Sequence, residues 1–473
     1  MIGRPARNVG FLLAGELLTR GLGFAVTAVL ARRLGLDAFG QIALGMSLMA
    51  YGIMVTKAGL LTVGTRNVAR DPAATRDLAG QVQTLRLMLA AVAFAGIALF
   101  AALLPRPAET RWLLVLYAAG VFAQALALEW VLIGEERMHH VAAGHVLTNA
   151  VYFLLVLALV RGPGQLLLVP VAFVVATAAG AGYLLVPHAR RHGLPRLAWR
   201  PRAWRALIGQ ALPVGAASVL SQLYVNAPVV SLSLLRGDAA AGLYSAAHRF
   251  VFFVLMLDRV VQSVFLPVAA RQYRARGDSA AGQGAALPVT IGTVLRVALA
   301  LSLPVCLLVL LLAPQVARLL FGAEFEPAGR VMMILIWFFP LSLTSTISGY
   351  TLLAADRERR YAVNTAVGVA VALVLVVLGG LRLGPAGAAL GMVAGEALLA
   401  GLMLAGMLGL VRPRIGLRVL WVAVALVPLA GVVLALRDWN WFVAGVAGAA
   451  GYAVALLLVR GVTPADLGLG GRR

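Results

Sequence analysis

Apolar residues fill this chain in long runs, punctuated at regular intervals by short clusters of arginine, glycine and proline. Each run is about 18 to 25 residues, enough for a helix rising 1.5 Å per residue to cover about 30 Å of hydrocarbon. The pattern predicts fourteen membrane helices, over 9–31, 41–65, 82–104, 111–133, 141–160, 166–187, 207–235, 243–269, 287–313, 331–353, 362–380, 385–410, 419–436 and 441–459. Glu16 and Arg20 interrupt the first run and no small-residue cleavage site follows it, so it reads as helix 1 and not as a signal peptide. Pro213, Pro304, Pro340 and Pro428 fall inside predicted helices, where a missing backbone donor bends or interrupts the ladder. Trp112, Trp130, Trp421, Trp439 and Trp441 fall near predicted ends, where an interfacial ring is well accommodated.

The first half of the pattern recurs in the second. Gly35 to Gly40 (GLDAFG) returns as Gly237 to Gly242 (GDAAAG) at an offset of 202 residues, and that offset carries Lys57 onto Arg259. One residue of slippage then carries the Ala69, Arg70 pair onto Ala270, Arg271. Six crossings per copy is an even number, so both copies insert the same way up, related by an axis along the membrane normal. The expected fold is an all-α polytopic membrane protein with two parallel six-helix bundles, 1–187 and 207–410. A basic cytoplasmic linker, 188–206, joins them, and 411–473 adds two helices and a tail.

Composition agrees with that class. With 62% hydrophobic and 12% charged residues and a mean hydropathy of +0.93, the chain has too little polar surface for a soluble fold of its size. A net charge of +22 would suit nucleic acid, but no basic domain stands outside the predicted helices to hold a polyanion. The charge is topological: alternate connections hold 24 arginines on one side and nine on the other, ten with Arg111 at the start of its helix, which places both termini in the cytoplasm. Six of those arginines, with Trp199 and Trp204, lie in the linker, whose expected partner is anionic membrane lipid. Cys306 is alone, and no HExxH, Walker lysine loop or dinucleotide fingerprint occurs, so neither catalytic residues nor a metal or cofactor is expected.

Charged and polar residues inside the spans are the candidate site. Glu16 and Arg20 share a face of helix 1, and at the offset of 202 they map to Ser218 and Gln222, with Asn226 one turn further. Such stripes face a cavity, or, for Glu16 and Arg20, pair with each other as architecture. Lys57, the chain's one lysine, and Arg259 come at comparable depth in the two copies, either as ligand-binding cations or snorkelling to the interface. His248 lies on the face of Arg259, Asp258 neighbours it as a source of neutralising charge, and Arg249 stands nearer the outer end. Arg86 and Arg296 open equivalent helices and are expected to snorkel; Glu129 and Glu396 are the remaining acids, Glu396 being the candidate for coupling to H+ or Na+. Two cationic walls about one cavity suit a phosphate or pyrophosphate headgroup, bound and not chemically altered.

Several short motifs in order carry a resemblance. They are Asn8 in its apolar helix, ArgArgLeuGly at 32–35 with PheGly at 39–40, GlyLeu at 59–60 leading to ArgAsnValAlaArg at 66–70, GlyLeuTyr at 242–244, LeuPro at 266–267 and LeuPheGlyAlaGluPhe at 320–325. Over residues 8 to 410 the chain resembles bacterial polysaccharide biosynthesis proteins, oligosaccharide flippases of the multidrug, oligosaccharidyl-lipid and polysaccharide exporter superfamily. The resemblance implies an alternating-access transporter of the inner membrane that carries an undecaprenyl-diphosphate oligosaccharide to the outer leaflet, with a polysaccharide polymerase as partner. Functional cavity arginines of such flippases would fall here at Arg20, Lys57 and Arg259. Peptidoglycan-precursor flippase, multidrug antiporter and non-transporting scaffold of an export complex stay open as alternatives.

Overall fold

The computed structural model describes residues 4–57, 59–256, 258, 286–414 and 416–459. Among these the regular structure is helical throughout, and nine helical segments are long and apolar enough to cross a membrane. The chain forms two compact units, Met1–Ser245 and Ala246–Arg473.

The first unit contains α1 (Arg4–Leu34), α2 (Leu36–Lys57), α3 (Leu60–Arg70), α4 (Thr75–Leu103), α5 (Ala108–Leu126), α6 (Glu129–Gly134), α7 (Met138–Leu159), α8 (Leu168–His192) and α9 (Pro201–Arg236). Helix α10 (Asp238–Val254) continues the chain into the second unit. Helices α1 and α7 run parallel: Gly15 meets Ala142 and Gly23 meets Asn149, an offset of 126 to 127 residues, and Arg33 donates to the Leu157 carbonyl at 3.0 Å. The two copies of the glycine motif touch one another. A Cβ on Gly40 would overlap the carbonyl of Asp238, and one on Gly242 would meet the carbonyl of Leu36 at 2.5 Å. Since Leu36 and Asp238, like Gly40 and Gly242, are 202 residues apart, the contact is reciprocal, as across a two-fold axis.

Two predicted helices of this unit are each broken in two. The run 41–65 divides at Gly59, whose φ of 79° is easy only for glycine and which lies against the backbone of Ala211 in α9. The run 111–133 divides at Ala127 and Leu128. The short pieces α3 and α6 pack with α9 around Trp130, which is fully buried with Gly64 against its ring. Trp130 therefore fills a core and does not sit at the membrane interface as its position in the run suggests.

The second unit contains α11 (Ala286–Phe321), α12 (Ala328–Leu335), α13 (Phe338–Ala354), α14 (Glu358–Leu408), α15 (Arg418–Val424) and α16 (Leu426–Leu458). Helix α14 reverses at Gly384 (φ 63°), immediately before Pro385, so that Gly379 meets Gly387, Gly391 meets Leu375 and Gly368 meets Leu399. Asn364 closes the open end by donating to the Leu402 carbonyl at 3.0 Å. Helix α16 reverses at Asn440, whose side chain accepts from Phe442 N (3.0 Å) and Val443 N (3.2 Å) as a cap for the second leg. The break between α12 and α13 precedes Pro340: that ring cannot donate to Ile336, whose carbonyl accepts from Phe339 N and from the Cys306 thiol. Helix α11 instead stays helical through Pro304.

A basic strap crosses one helix in each unit. In the first, 193–200 lies over α4, with Ala198 N donating to Thr84 Oγ1 at 3.0 Å and the Arg196 carbonyl seated on Gly80. In the second, Arg414 N donates to the Pro288 carbonyl at 2.9 Å and its own carbonyl sits on Gly292.

Candidate functional site

The two helix breaks of the first unit converge on one charge cluster. Lys57 is the last residue of α2 and Glu129 the first of α6, so each charge sits at the end of a helix whose dipole favours it. Lys57 Nζ lies 3.1 Å from Glu129 Oε1, and His145 Nε2 of α7 lies 3.2 Å from Glu129 Oε2. One carboxylate thus serves two basic groups from two other helices, one on each oxygen. The Glu129 side chain is 13% exposed, against 38% for Lys57 and 53% for His145, so the acid lies behind and the bases in front. On α7, Asn149 donates to the His145 carbonyl at 2.9 Å. The offset between α1 and α7 puts Arg20 level with Val146, the residue after His145.

Behind the cluster, Arg86 rebuilds the broken helix. The gap between α5 and α6 frees backbone carbonyls, and the Arg86 guanidinium donates to Gln124 O at 2.7 Å and Ala127 O at 2.8 Å. Gln83 takes the carbonyl between them, Ala125, at 2.6 Å. Arg86 is wholly buried, which corrects the expectation that it snorkels: carbonyls left open by the break solvate it in place of water. Arg296 is likewise buried.

Other candidates lie elsewhere. Gln222 and Asn226 are half-buried on α9, Asn226 donating to the Gln222 carbonyl at 3.0 Å. In the second unit His248 stacks on Phe252, centroids 3.9 Å apart, and Arg249 beside it is half-buried. Two buried acids meet neighbouring faces of α13: Asp258 takes long contacts from Ser342 (3.4 Å) and Thr346 (3.5 Å), and Glu396 accepts from Ser345 at 2.7 Å. Arg259 and the side chains of Glu16 and Ser218 lie outside the described residues.

A sequence model described as polysaccharide biosynthesis protein matches residues 6–272. The chain belongs to the polysaccharide biosynthesis protein family. No curated protein matches it significantly in sequence. Among solved structures it is similar to a lipid II flippase, MurJ, in an inward closed conformation, with 12% identity over 95% of this chain and 98% of that one and a TM-score of 0.73. It is also similar to an inward-facing multidrug resistance MATE transporter of the MOP superfamily (17% identity, 85% and 93% covered, TM-score 0.59) and to a MATE transporter of Vibrio cholerae (16%, 85% and 95%, 0.52). At these identities the likeness establishes the fold, that of a polytopic helical membrane protein. The family model over residues 6–272 bears out the family resemblance read from the motifs.

Within this polysaccharide biosynthesis family member, the sequence reading isolates Lys57 and leaves out its partners. Glu129 is visible only as an acid in an apolar run, and His145 is passed over entirely. The signal for both was the same one that picked out Lys57, an ionisable side chain inside a membrane span.

Proposed function

We propose that this protein is a flippase that moves a lipid-linked oligosaccharide, joined through a diphosphate to undecaprenol, across the bacterial inner membrane by alternating access. The observation that carries this reading is the Lys57 ammonium, held within the span at a helix break by a carboxylate and presented outward. Discontinuous helices commonly build the binding sites of membrane transporters, and an ammonium at such a break suits anionic cargo. Family membership and the likeness to a protein described as a lipid II flippase both point to a lipid-linked substrate. A cationic drug fits less well, since an ammonium repels it most where the dielectric is low. Lys57, Arg20 and Arg259 bind the diphosphate in this reading, with Arg249 and His248 nearer the outer end and Gln222 and Asn226 offering amides to sugar. Glu396, hydrogen-bonded by Ser345, is the site for a coupling H+ or Na+.

Deletion of the gene should leave the lipid-linked sugar on the cytoplasmic leaflet, and reconstituted protein should move it between leaflets with a dependence on pH or sodium that Glu396→Gln removes. Normal surface polysaccharide in the deletion strain, together with efflux of organic cations by the reconstituted protein, would overturn the assignment.

We propose an orientation with both termini in the cytoplasm and Trp199, 69% exposed, against anionic headgroups, a reading supported by the arginines of the two straps. In a Cys306-free background, a single cysteine within 193–200 is expected to react with an impermeant maleimide only in inside-out vesicles. Labelling in right-side-out vesicles alone would reverse the topology.

A further inference from the structure

We infer that Glu129 is the resident anion of the substrate site, the group that a substrate phosphate replaces on Lys57 and that later takes Lys57 back. This rests on the diphosphate-binding reading above and adds to it how the site releases what it binds.

The geometry points to exchange and not to a static ion pair. A pair with both members buried would leave an incoming anion no route to the bases. Here the carboxylate is sheltered, 13% exposed, while Lys57 is 38% and His145 53% exposed. An incoming anion reaches the bases before it reaches the acid. Lys57 also ends its helix, with Gly59 (φ 79°) two residues on, so its four-carbon stem starts from a break and not from the middle of a rigid turn.

Glu129 has what such an exchange needs. When Lys57 turns to a phosphate, Oε2 keeps its 3.2 Å contact to His145 Nε2, so the acid is not stranded. Arg86, pinned by the Gln124 and Ala127 carbonyls at the break from which Glu129 starts, cannot leave with the substrate. A bound diphosphate and Glu129 then stand near one another as like charges, which weakens binding and favours return of Lys57 to the acid. A transporter site must bind weakly enough to let go, and Glu129 sets that limit. It acts through Lys57 and His145, so it is a positioning residue and need not touch the substrate.

The test is binding and release of undecaprenyl diphosphate by the purified full-length protein in detergent, with undecaprenol as the uncharged control. Glu129→Gln removes the competing charge while preserving shape, and it is expected to lower the Kd for undecaprenyl diphosphate about tenfold and to slow dissociation by a similar factor. Glu129→Asp keeps the charge and should restore the wild-type values. Lys57→Gln should weaken the preference for the diphosphate over undecaprenol about tenfold, whether or not Glu129 is also changed. A merely structural Glu129 would give the opposite pattern, with weaker binding and lower melting temperature in Glu129→Gln. Equal or weaker binding by a folded Glu129→Gln, beside a wild type that prefers the diphosphate, overturns the inference and leaves the proposed function standing. A wild type and a Glu129→Gln variant that both bind undecaprenol as well as its diphosphate overturn the proposed function, and the inference falls with it. Preference shown by Glu129→Gln alone supports the inference, because the resident anion would then be what blocks the site.

Discussion

Replacing Lys57 and Arg259 together by glutamine is expected to abolish transport of the lipid-linked diphosphate, by about 100-fold or more, while folded protein persists in the membrane. Hydrogen bonds to a charged group contribute about 1.5–3 kcal/mol each, so two lost cations remove about 3–6 kcal/mol from the bound headgroup. Each single change should cost about tenfold or more, and Lys57→Arg should be milder than Lys57→Gln because charge is kept while the contact changes shape. The fold should tolerate Lys57→Gln because Glu129 keeps His145 as a partner and the glutamine amide can still donate to it. Arg259 enters through the repeat, at the offset of 202 that also relates the reciprocal contacts of Gly40 with Asp238 and of Gly242 with Leu36. Leaflet-to-leaflet transport, normalised to protein recovered from the membrane, is the measurement. Wild-type transport by the double variant would remove the cationic site from the mechanism.

The membrane class and several turning points were legible because each is a local property. Long apolar runs need no tertiary information, and Gly384 before Pro385 marks the reversal that the predicted gap between 380 and 385 anticipates. Asn440 likewise falls between the runs ending at 436 and starting at 441. The breaks that build the site were not legible. Hydropathy sums side chains over a window and cannot register the positive φ of Gly59, and nothing in the run 111–133 marks Ala127 as a gap without the carbonyl partners that Gln83 and Arg86 bring from α4. Lys57, Glu129 and His145 come from three helices, and only packing reveals that one carboxylate unites them. The repeat was visible as faint identity at 35–40 and 237–242, yet its physical content, glycines that let two backbones cross, appears only where those segments touch.

Arg86→Leu is expected to damage the folding of the first unit by about 1–3 kcal/mol or more. That cost follows from the Ala127 carbonyl, which loses its donor with the guanidinium, whereas the Gln124 carbonyl keeps the Ala127 N–H at 3.3 Å. Leucine matches the apolar surroundings but donates to neither, and α5 cannot close the gap by continuing into α6 without rotating Glu129 away from Lys57 and His145. Arg86→Lys retains the charge but presents a point donor where a planar fork spans two carbonyls, so it should recover only part of the loss. Gln83→Leu, which frees the single carbonyl of Ala125, should cost a similar amount. Melting temperatures in detergent provide the comparison, with Lys57→Gln as a control that alters the cluster's charge and leaves the break intact. An Arg86→Leu protein that melts with the wild type would show that the α5–α6 gap is held by the packing around Trp130 and owes nothing to the guanidinium. Loss of the fold in that variant, with Lys57→Gln stable, would establish that one buried arginine sustains the break on which Glu129 is carried.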